Sequence, residues 1–205
     1  AMFDPDELQL RANVPEDYEA AARSQQAEYY AMIKNLDDNV GRVLNWLEET
    51  GLAENTLVCF FSDHGEMGGS HYRFQKVCAY DESIRIPLIM RLPGVIPAGT
   101  VVDDVVSLVD LFPTSASLCR VPIPPEVQGR DYTRLVTSRQ APAPREACLV
   151  QWYGNPRYNA EGKTGPEYRA IRTRRFTYCV SDAEHRRLLF DNQADSLQMH
   201  NLFDS

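Results

Sequence analysis

A short segment that follows an apolar run holds most of the residues in this chain that could do chemistry. The segment opens with Ser62, Asp63, His64 and Gly65, and Lys76 follows on the same loop. A carboxylate and an imidazole at a strand exit can form half of a divalent-metal site, because both side chains can turn to one point there. A metal takes about four to six ligands, so two cannot complete the site. The same tetrapeptide also fits a polar turn.

Two further side chains of this segment suit the chemistry of an anionic substrate. An ammonium group near a metal is favourable when an anion lies between them, so Lys76 and the metal could hold one anion from two sides. His71 could give a proton to a leaving oxygen. From the residues alone, a solvated lysine and a surface histidine are the simpler interpretations.

The elements before this segment predict an α/β unit that places Asp63 and His64 at the end of a strand. Apolar residues recur at steps of three and four over residues 15–50, which predicts a long amphipathic helix capped by Gly51. The continuous apolar run 56–61 predicts a short strand covered on both faces, as in a parallel sheet. In open α/β sheets, ligands bind outside the carboxyl ends of the strands.

The remaining elements are shorter, and the architecture is expected to change near residue 140. Strands are predicted over 85–91 and 105–109, the first at a sheet edge because of Pro87, and a short helix over 113–118. After a proline-containing linker at 138–145, an antiparallel sheet is predicted from strands at 147–152, 168–173, 176–180 and 187–190. We therefore expect an α/β domain over residues 1–139, with a mixed sheet flanked by helices. Residues 140–205 are expected to form a small α+β subdomain, an antiparallel sheet with a helix.

Composition limits the classes of function and partner. The chain has 205 residues and a formal net charge of −8, which argues against non-specific binding of nucleic acid. No stretch approaches the roughly 18 apolar residues of a membrane span. The cysteines are odd in number and lack metal-ligand spacing, so we expect buried or half-buried free thiols and no disulfide framework. They are Cys59, Cys78, Cys119, Cys148 and Cys179.

The segment from Ser62 to Leu88 resembles a stretch of the sulfatase family, in the alkaline phosphatase superfamily. In that family an apolar strand ends in Ser/Thr-Asp-His/Asn-Gly-Glu, and a Gly-rich loop with a histidine leads to a lysine and then to Glu-Ser, an arginine and a proline-containing strand. The same residues occur here in the same order: Asp63-His64-Gly65-Glu66, Gly69, His71, Lys76, Glu82-Ser83, Arg85 and Pro87-Leu88. Matching motifs at 110–114, 129–131 and 168–173 extend the resemblance over roughly residues 15 to 205.

The resemblance implies a sulfuric ester hydrolase with part of an alkaline-phosphatase-like fold. It implies Asp63 and His64 as metal ligands, Lys76 as a contact to the sulfate oxygens and His71 as a further candidate catalytic residue. Glu66 is expected to support the loop. The expected ion is calcium, with manganese or zinc as alternatives because of the imidazole ligand. The implied substrate is a sulfate ester, either a sulfated sugar or an aryl sulfate.

The chain also departs from the family pattern. It lacks the Cys/Ser-x-Pro-x-Arg motif whose first residue becomes formylglycine, since the segment 119–122 has its proline one place late. The paired N-terminal aspartates of the metal site and the central strand that carries them are missing as well. We therefore expect the C-terminal part of a sulfatase, inactive by itself, whose formylglycine lies in a missing N-terminal half.

Two alternatives stay open at this point. The first is a phosphoester or phosphonate monoester hydrolase of the same superfamily. The second is a non-catalytic fragment that forms a homodimer through an exposed sheet edge. For the parent protein, a periplasmic or secreted location is expected over a cytoplasmic one.

Overall fold

The structure, a computed structural model, describes residues 2–138, 145–154, 167–181 and 186–203. These residues form helices and antiparallel sheets, as expected for the predicted α/β class. In chain order the helices and strands are α1 Glu19–Glu49, β1 Val58–Phe61, α2 Asp81–Ile84, β2 Leu88–Arg91, α3 Leu111–Leu118, α4 Thr133–Ser138, β3 Ala147–Trp152, β4 Tyr168–Thr173, β5 Phe176–Ser181 and β6 Arg186–Asp191. None of the helices in the described ranges is long and apolar enough to cross a membrane.

The chain divides into two compact units, each assembled from separate stretches of sequence. The first unit comprises Ala1–Arg42, His64–Ile86 and Leu149–Ser205, and the second comprises Val43–Asp63 and Pro87–Cys148. The domain boundary predicted between residues 139 and 140 lies outside the described residues.

Helix α1 confirms the long helix predicted for residues 15–50. A 3-10 turn at Glu16–Tyr18 leads into α1. At the other end, the N–H of Gly51 bonds to the carbonyl of Glu48 at 3.1 Å and the N–H of Leu52 bonds to that of Leu47 at 2.9 Å. This paired pattern is a Schellman motif, and it needs the left-handed backbone (φ 71°) that Gly51 adopts.

The second unit contains a two-stranded sheet whose direction differs from the prediction. Strand β1 forms where the apolar run predicted it, but it pairs antiparallel with β2, with Phe61 opposite Leu88. The side chain of Phe61 is 45% exposed, so this strand is not covered on both faces. An apolar run reports a tendency to be buried and carries no signal for the direction of the neighbouring strand. Strand β2 begins one residue after Pro87, which has no N–H to give to a ladder.

The prediction of a strand over residues 105–109 is wrong. The structure has a 3-10 turn at Leu108–Asp110 instead, closed by a capping box in which Ser107 and Asp110 bond to each other's backbone N–H. Local side-chain acceptors of this kind compete with a strand ladder for the backbone, and the β-branched valines did not outweigh them. Helix α3 follows directly and begins two residues before the predicted start.

The four-stranded sheet predicted near the C-terminal end has the order β3-β4-β5-β6, and from Leu149 of β3 onward it belongs to the first unit. Strands β4, β5 and β6 are antiparallel, with Ala170 opposite Cys179. A buried cluster on one face joins these two residues to Ala79 and Tyr168. No helix occurs in the described residues after 144, so the helix expected for this subdomain is not found there. Segments of irregular backbone, those around Ala79 and the buried Gln198, pack against the sheet in its place.

Candidate functional site

The segment between β1 and α2 is held against α2 by a backbone hydrogen bond from Gly65. The N–H of Gly65 donates to the carbonyl of Ser83 at 2.7 Å. A Cβ atom at Gly65 would lie 1.9 Å from the carbonyl oxygen of Glu82, so no other residue fits without moving the backbone. This close approach explains why a glycine follows the Asp-His pair, and it fixes where the segment starts.

The two predicted metal ligands are adjacent in the chain, and the unit boundary falls between them. Asp63, in the second unit, is exposed, and His64, in the first unit, is half-buried. Nδ1 of His64 lies 2.8 Å from the carbonyl oxygen of Gly65. A carbonyl only accepts, so Nδ1 carries a hydrogen, and a neutral ring with this hydrogen has its lone pair on Nε2. Metal-binding histidines often hold their second ring nitrogen in this way, by a hydrogen bond to a backbone carbonyl.

Asp63 and His64 fall short of a complete metal site. In the described part of the chain, no group of three or more His, Cys, Asp or Glu side chains is placed to hold a metal ion. Both side chains also make interactions within the protein, among them a 3.5 Å hydrogen bond from Ser62 to Asp63. The donor types fit a divalent cation, and the number of donors does not suffice for one.

The loop that carries Lys76 is closed by the carboxylate of Glu66. This carboxylate accepts the N–H groups of Gly68 at 3.3 Å and of Gln75 at 2.5 Å. The N–H of Met67 donates to the carbonyl of Gln75 at 2.8 Å, and the N–H of Gly69 to that of Arg73 at 2.8 Å. Glu66 therefore supports the loop, as expected from the sequence.

Lys76 lies between two residues with unusual backbone conformations. Gln75 has φ 65° and Val77 has φ 79°, both in the left-handed region. A β-branched residue rarely adopts this conformation, which costs on the order of 1–3 kcal/mol. The side chain of Lys76 is exposed. The backbone strain and the Glu66 hydrogen bonds thus present one lysine to solvent from a defined loop.

His71 points into the first unit and takes part in an internal network. It has a left-handed backbone (φ 53°), and its ring stacks on Tyr80 with ring centroids 4.0 Å apart. Nε2 lies 3.0 Å from the carbonyl oxygen of Leu197, so this nitrogen carries a hydrogen. Burial lowers the pKa of the imidazole, although the nearby Glu82 acts in the opposite direction. The structure gives His71 packing and hydrogen-bonding partners; its role as a proton donor stays a prediction.

Asn13 is the centre of this network, and nothing in its sequence context predicted this role. It is 2% exposed. Its amide donates to Glu82 at 2.7 Å and to the carbonyl of Leu197 at 3.2 Å, and it accepts from Ser70 at 2.9 Å. Arg11 adds an ion pair with Glu82 at 3.1 Å. The network therefore joins the N-terminal segment, the candidate loop, α2 and the C-terminal segment.

The short helix α2 is tied to the four-stranded sheet as well. Arg172 of β4 forms a bidentate ion pair with Asp81, and both hydrogen bonds are 2.9 Å long. The N–H of Asp81 donates to the side chain of Gln198 at 2.7 Å. Since the N–H of Gly65 also bonds to the carbonyl of Ser83 in α2, hydrogen bonds connect the sheet, the helix and the start of the candidate loop within the first unit.

The fold and this loop are those of one enzyme family. The sequence matches the Sulfatase family over residues 4–121 and the family described as N-sulphoglucosamine sulphohydrolase, C-terminal, over residues 69–205. The chain therefore belongs to the sulfatase family. Residues 62–88, with the predicted metal and anion ligands, lie within the first match.

Individual relatives agree with this assignment and are longer than the chain. The Ulvan-active sulfatase of Formosa agariphila is 37% identical over 98% of this chain and 39% of its own length. The N-acetylglucosamine-6-O-sulfatase of Bacteroides thetaiotaomicron is 32% identical over 86% of this chain and 31% of its own length. The chain thus spans less than half of these relatives.

Solved structures show the same fold. The protein BT4656, solved in complex with its substrate D-glucosamine-2-N,6-O-disulfate, superimposes with a TM-score of 0.79 and 28% identity, over 94% of this chain and 39% of that one. The phosphonate monoester hydrolase of Agrobacterium radiobacter gives a TM-score of 0.80 and 27% identity, over 92% and 39%. Both sulfate- and phosphonate-related proteins therefore share this architecture.

Proposed function

We propose that this chain is the C-terminal part of the catalytic domain of a sulfuric ester hydrolase. In this proposal Asp63 and His64 hold a divalent metal ion, and Lys76 contacts the sulfate oxygens. The observation that carries it is the loop from Gly65 to Val77, which is anchored on α2, closed by Glu66 and presents an exposed lysine after an Asp-His pair. Membership of the sulfatase family supports the choice of reaction.

The proposed metal is calcium, with manganese or zinc as alternatives. The Asp63 carboxylate suits a hard cation, and the His64 imidazole, with its lone pair on Nε2, admits the softer ions. A bound cation would polarise the sulfate ester and stabilise negative charge on its oxygens. The other ligands and the formylglycine nucleophile belong, in this proposal, to the part of a sulfatase that this chain does not span.

Lys76 would supply the second positive charge on the anion. Its ammonium group would hold a sulfate oxygen on the side away from the metal and stabilise the charge that develops in the transition state. The substrate class that we propose is a sulfated saccharide. Support comes from the relatives, whose names refer to ulvan and to 6-O-sulfated N-acetylglucosamine, and from the disulfated glucosamine bound to BT4656.

A phosphonate or phosphate ester hydrolase is the second candidate. The likeness to the phosphonate monoester hydrolase of Agrobacterium radiobacter, with a TM-score of 0.80, favours it. A metal and a lysine can hold a phosphonate as well as a sulfate, because both are tetrahedral anions. These residues therefore do not distinguish the two activities, and only assays with sulfate and phosphonate substrates can.

We expect the isolated chain to be inactive. Two ligands bind a metal weakly, and the sequence contains no Cys/Ser-x-Pro-x-Arg motif. The purified chain should not hydrolyse 4-nitrophenyl sulfate with calcium, manganese or zinc at millimolar concentration. Metal-dependent turnover by the pure chain would contradict this expectation.

A chimera tests the proposed function directly. The part of the Ulvan-active sulfatase that matches this chain is replaced by this chain, and folding is checked by circular dichroism. The chimera should hydrolyse sulfate esters, and Lys76→Ala should lower kcat/KM by about 10²- to 10³-fold. Arg174→Ala, which removes an exposed cation between β4 and β5, is the matched control and should leave kcat/KM unchanged. A folded chimera that cleaves phenylphosphonate and no sulfate would favour the second candidate. Full activity of Lys76→Ala would show that this lysine does not contact the sulfate group of the substrate.

A further inference from the structure

The tip of the loop that carries Lys76 holds an exposed aromatic side chain. The N–H of Gly69 bonds to the carbonyl of Arg73 at 2.8 Å, which places residues 70–72 at the tip of this loop. Tyr72 lies there, and its side chain is 60% exposed. Lys76 follows four residues further along the chain and is exposed as well. One short loop therefore presents both an aromatic ring and a positive charge to solvent.

The backbone of Tyr72 has a conformation that suits a glycine. Its φ is 60°, in the left-handed region, where a bulky aromatic residue is a rare outlier. A glycine would fit this turn without strain, so the turn itself does not explain a tyrosine. Burial does not explain it either, since most of the side chain remains in solvent. Strained residues cluster at binding sites, which makes the ring a candidate contact for a ligand.

Neighbouring groups hold Tyr72 in place. The ring of Tyr18 contacts it edge to face, with ring centroids 5.7 Å apart, and stacks on Phe74 at 5.1 Å. The tip of the loop is also bound to the N-terminal segment, because the N–H of His71 donates to the carbonyl of Asn13 at 3.0 Å. All of these residues belong to the first unit. A ligand that stacks on Tyr72 thus meets a ring that is already ordered, and little conformational entropy is lost on binding.

We propose that Tyr72 binds a sugar ring of the sulfated saccharide whose sulfate group lies at Lys76. This role rests on the proposed function and deepens it, because it assigns part of the selectivity for saccharides to one side chain. A tyrosine ring has a flat apolar face and a polar hydroxyl at its edge. A pyranose ring likewise has an apolar face of C–H groups bordered by hydroxyls, so the two faces can stack.

The length of the loop limits which part of the saccharide reaches Tyr72. Four residues of chain separate Tyr72 from Lys76, a span of at most about 14 Å. A saccharide of two or more sugars is long enough to contact both side chains. A small aryl sulfate has no further sugar to place on Tyr72. The ring should consequently favour oligosaccharide substrates over aryl sulfates.

The experiment uses the chimera in which this chain replaces its counterpart in the Ulvan-active sulfatase. Tyr72→Asn removes the ring, and asparagine tolerates the left-handed backbone. We expect KM and the dissociation constant for an ulvan oligosaccharide to rise about tenfold, with kcat and the KM for 4-nitrophenyl sulfate unchanged. Tyr72→Phe keeps the ring and should behave as the unaltered chimera. Phe176→Asn, which removes an exposed ring at the start of β5, is the matched control and should change neither constant.

Several results would overturn this role of Tyr72. They are oligosaccharide constants of Tyr72→Asn equal to those of the unaltered chimera, an equal loss for both substrates, and absence of oligosaccharide binding by the folded, unaltered chimera. Tyr72→Gly, which adopts the turn without strain, repeats the test if circular dichroism shows that Tyr72→Asn disturbs the fold. A chimera that binds the oligosaccharide through Tyr72 but hydrolyses no sulfate ester would instead contradict the proposed function and leave the sugar contact intact.

Discussion

The carboxylate of Asp110 lies 2.6 Å from the guanidinium of Arg145, and the two side chains are only 1% and 12% exposed. The same carboxylate accepts the backbone N–H groups of Ser107 and Arg130, each at 2.8 Å. One buried anion therefore holds together the start of α3, the segment around Arg130 and the segment before β3. These contacts connect two of the motifs through which the sequence resembles the sulfatase family.

Removing the cation of this pair should strongly destabilise the second unit. Arg145→Met leaves the buried Asp110 carboxylate without its guanidinium, so we expect the free energy of unfolding to fall by about 3 kcal/mol. Arg91→Met is the matched control, because Arg91 pairs with Glu48 at 2.7 Å on the surface. That change should cost less than about 1 kcal/mol. Urea titration measures both, and equal losses would show that burial of the first pair has no effect.

The Asn13 network should contribute more to stability than its few hydrogen bonds suggest. Asn13→Ala leaves the buried hydroxyl of Ser70 without its acceptor and removes one of the two donors to the Glu82 carboxylate, of which only Arg11 remains, so we expect a loss of about 2–3 kcal/mol. Asn39→Ala removes an exposed amide from α1 and should change stability by less than about 0.5 kcal/mol. Hydrogen exchange at His71, whose N–H donates to the carbonyl of Asn13, should also accelerate. Unchanged protection there would contradict a role of Asn13 in holding the loop.

Stability should decrease below neutral pH because of His71. Burial lowers the pKa of this imidazole in the folded state, so the unfolded chain binds the proton more readily. The contribution of His71 is fully present above its unfolded pKa of about 6.5 and is lost as the pH falls from there through the folded pKa. We expect the free energy of unfolding to fall between about pH 7 and pH 5.

Substitution separates this effect from the other titrating groups. His71→Gln should flatten the profile between pH 7 and pH 5, whereas His200→Gln, at an exposed position, should leave the slope in place. Hydrogen bonds from Arg175 lower the pKa of Asp191, which adds a loss of stability in acid that both variants keep. The measurement is chemical unfolding at a series of pH values. If the free energy of unfolding of His71→Gln depends on pH as it does in the unaltered chain, a group other than His71 causes the loss of stability.

The five thiols should differ sharply in reactivity. All are free, as the sequence predicted; Cys78, Cys148 and Cys179 are buried and Cys59 is half-buried, but Cys119 is exposed, contrary to expectation. Burial raises the pKa of Cys179 to about 11 and also raises that of Cys78. With an aromatic disulfide reagent at pH 8, one thiol should react quickly and the others only on unfolding. Cys119→Ser should remove the fast phase, and a fast phase that persists would place the reactive thiol elsewhere.

Elements with a strong local pattern were predictable from the sequence. Helix α1 has a long apolar period and a glycine at its end, and the four strands of the C-terminal sheet carry β-branched and aromatic residues between turns. The 3-10 turn that replaces the strand predicted over 105–109 was not predictable in this way. The valines of this segment favour a strand, but the hydrogen bonds between Ser107 and Asp110 favour the turn. The direction of β1 was not predictable either, because its apolar run contains no information about its partner.

The candidate site was predictable only where its residues are neighbours in sequence. Asp63, His64 and Lys76 follow one another in a recognisable order, so their common loop could be read directly. Asn13 lies in a polar segment without any pattern, and His71, whose backbone N–H donates to the carbonyl of Asn13, is 58 residues away. A hydrogen bond between residues so far apart leaves no trace in local spacing, and the burial of His71 was missed for the same reason.

The hydrogen bond from Asn13 to the carbonyl of Leu197 spans 184 residues, and this separation affects the time at which the loop can form. During synthesis at roughly 5–20 residues per second, Asn13 leaves the ribosome on the order of ten seconds before its partner exists. Until then His71 has no carbonyl to bond to and Asp81 lacks Arg172. The loop with Lys76 therefore cannot complete its network on the nascent chain before the last strands emerge, and a chain that is released early contains the chemistry-bearing residues without the contacts that order them.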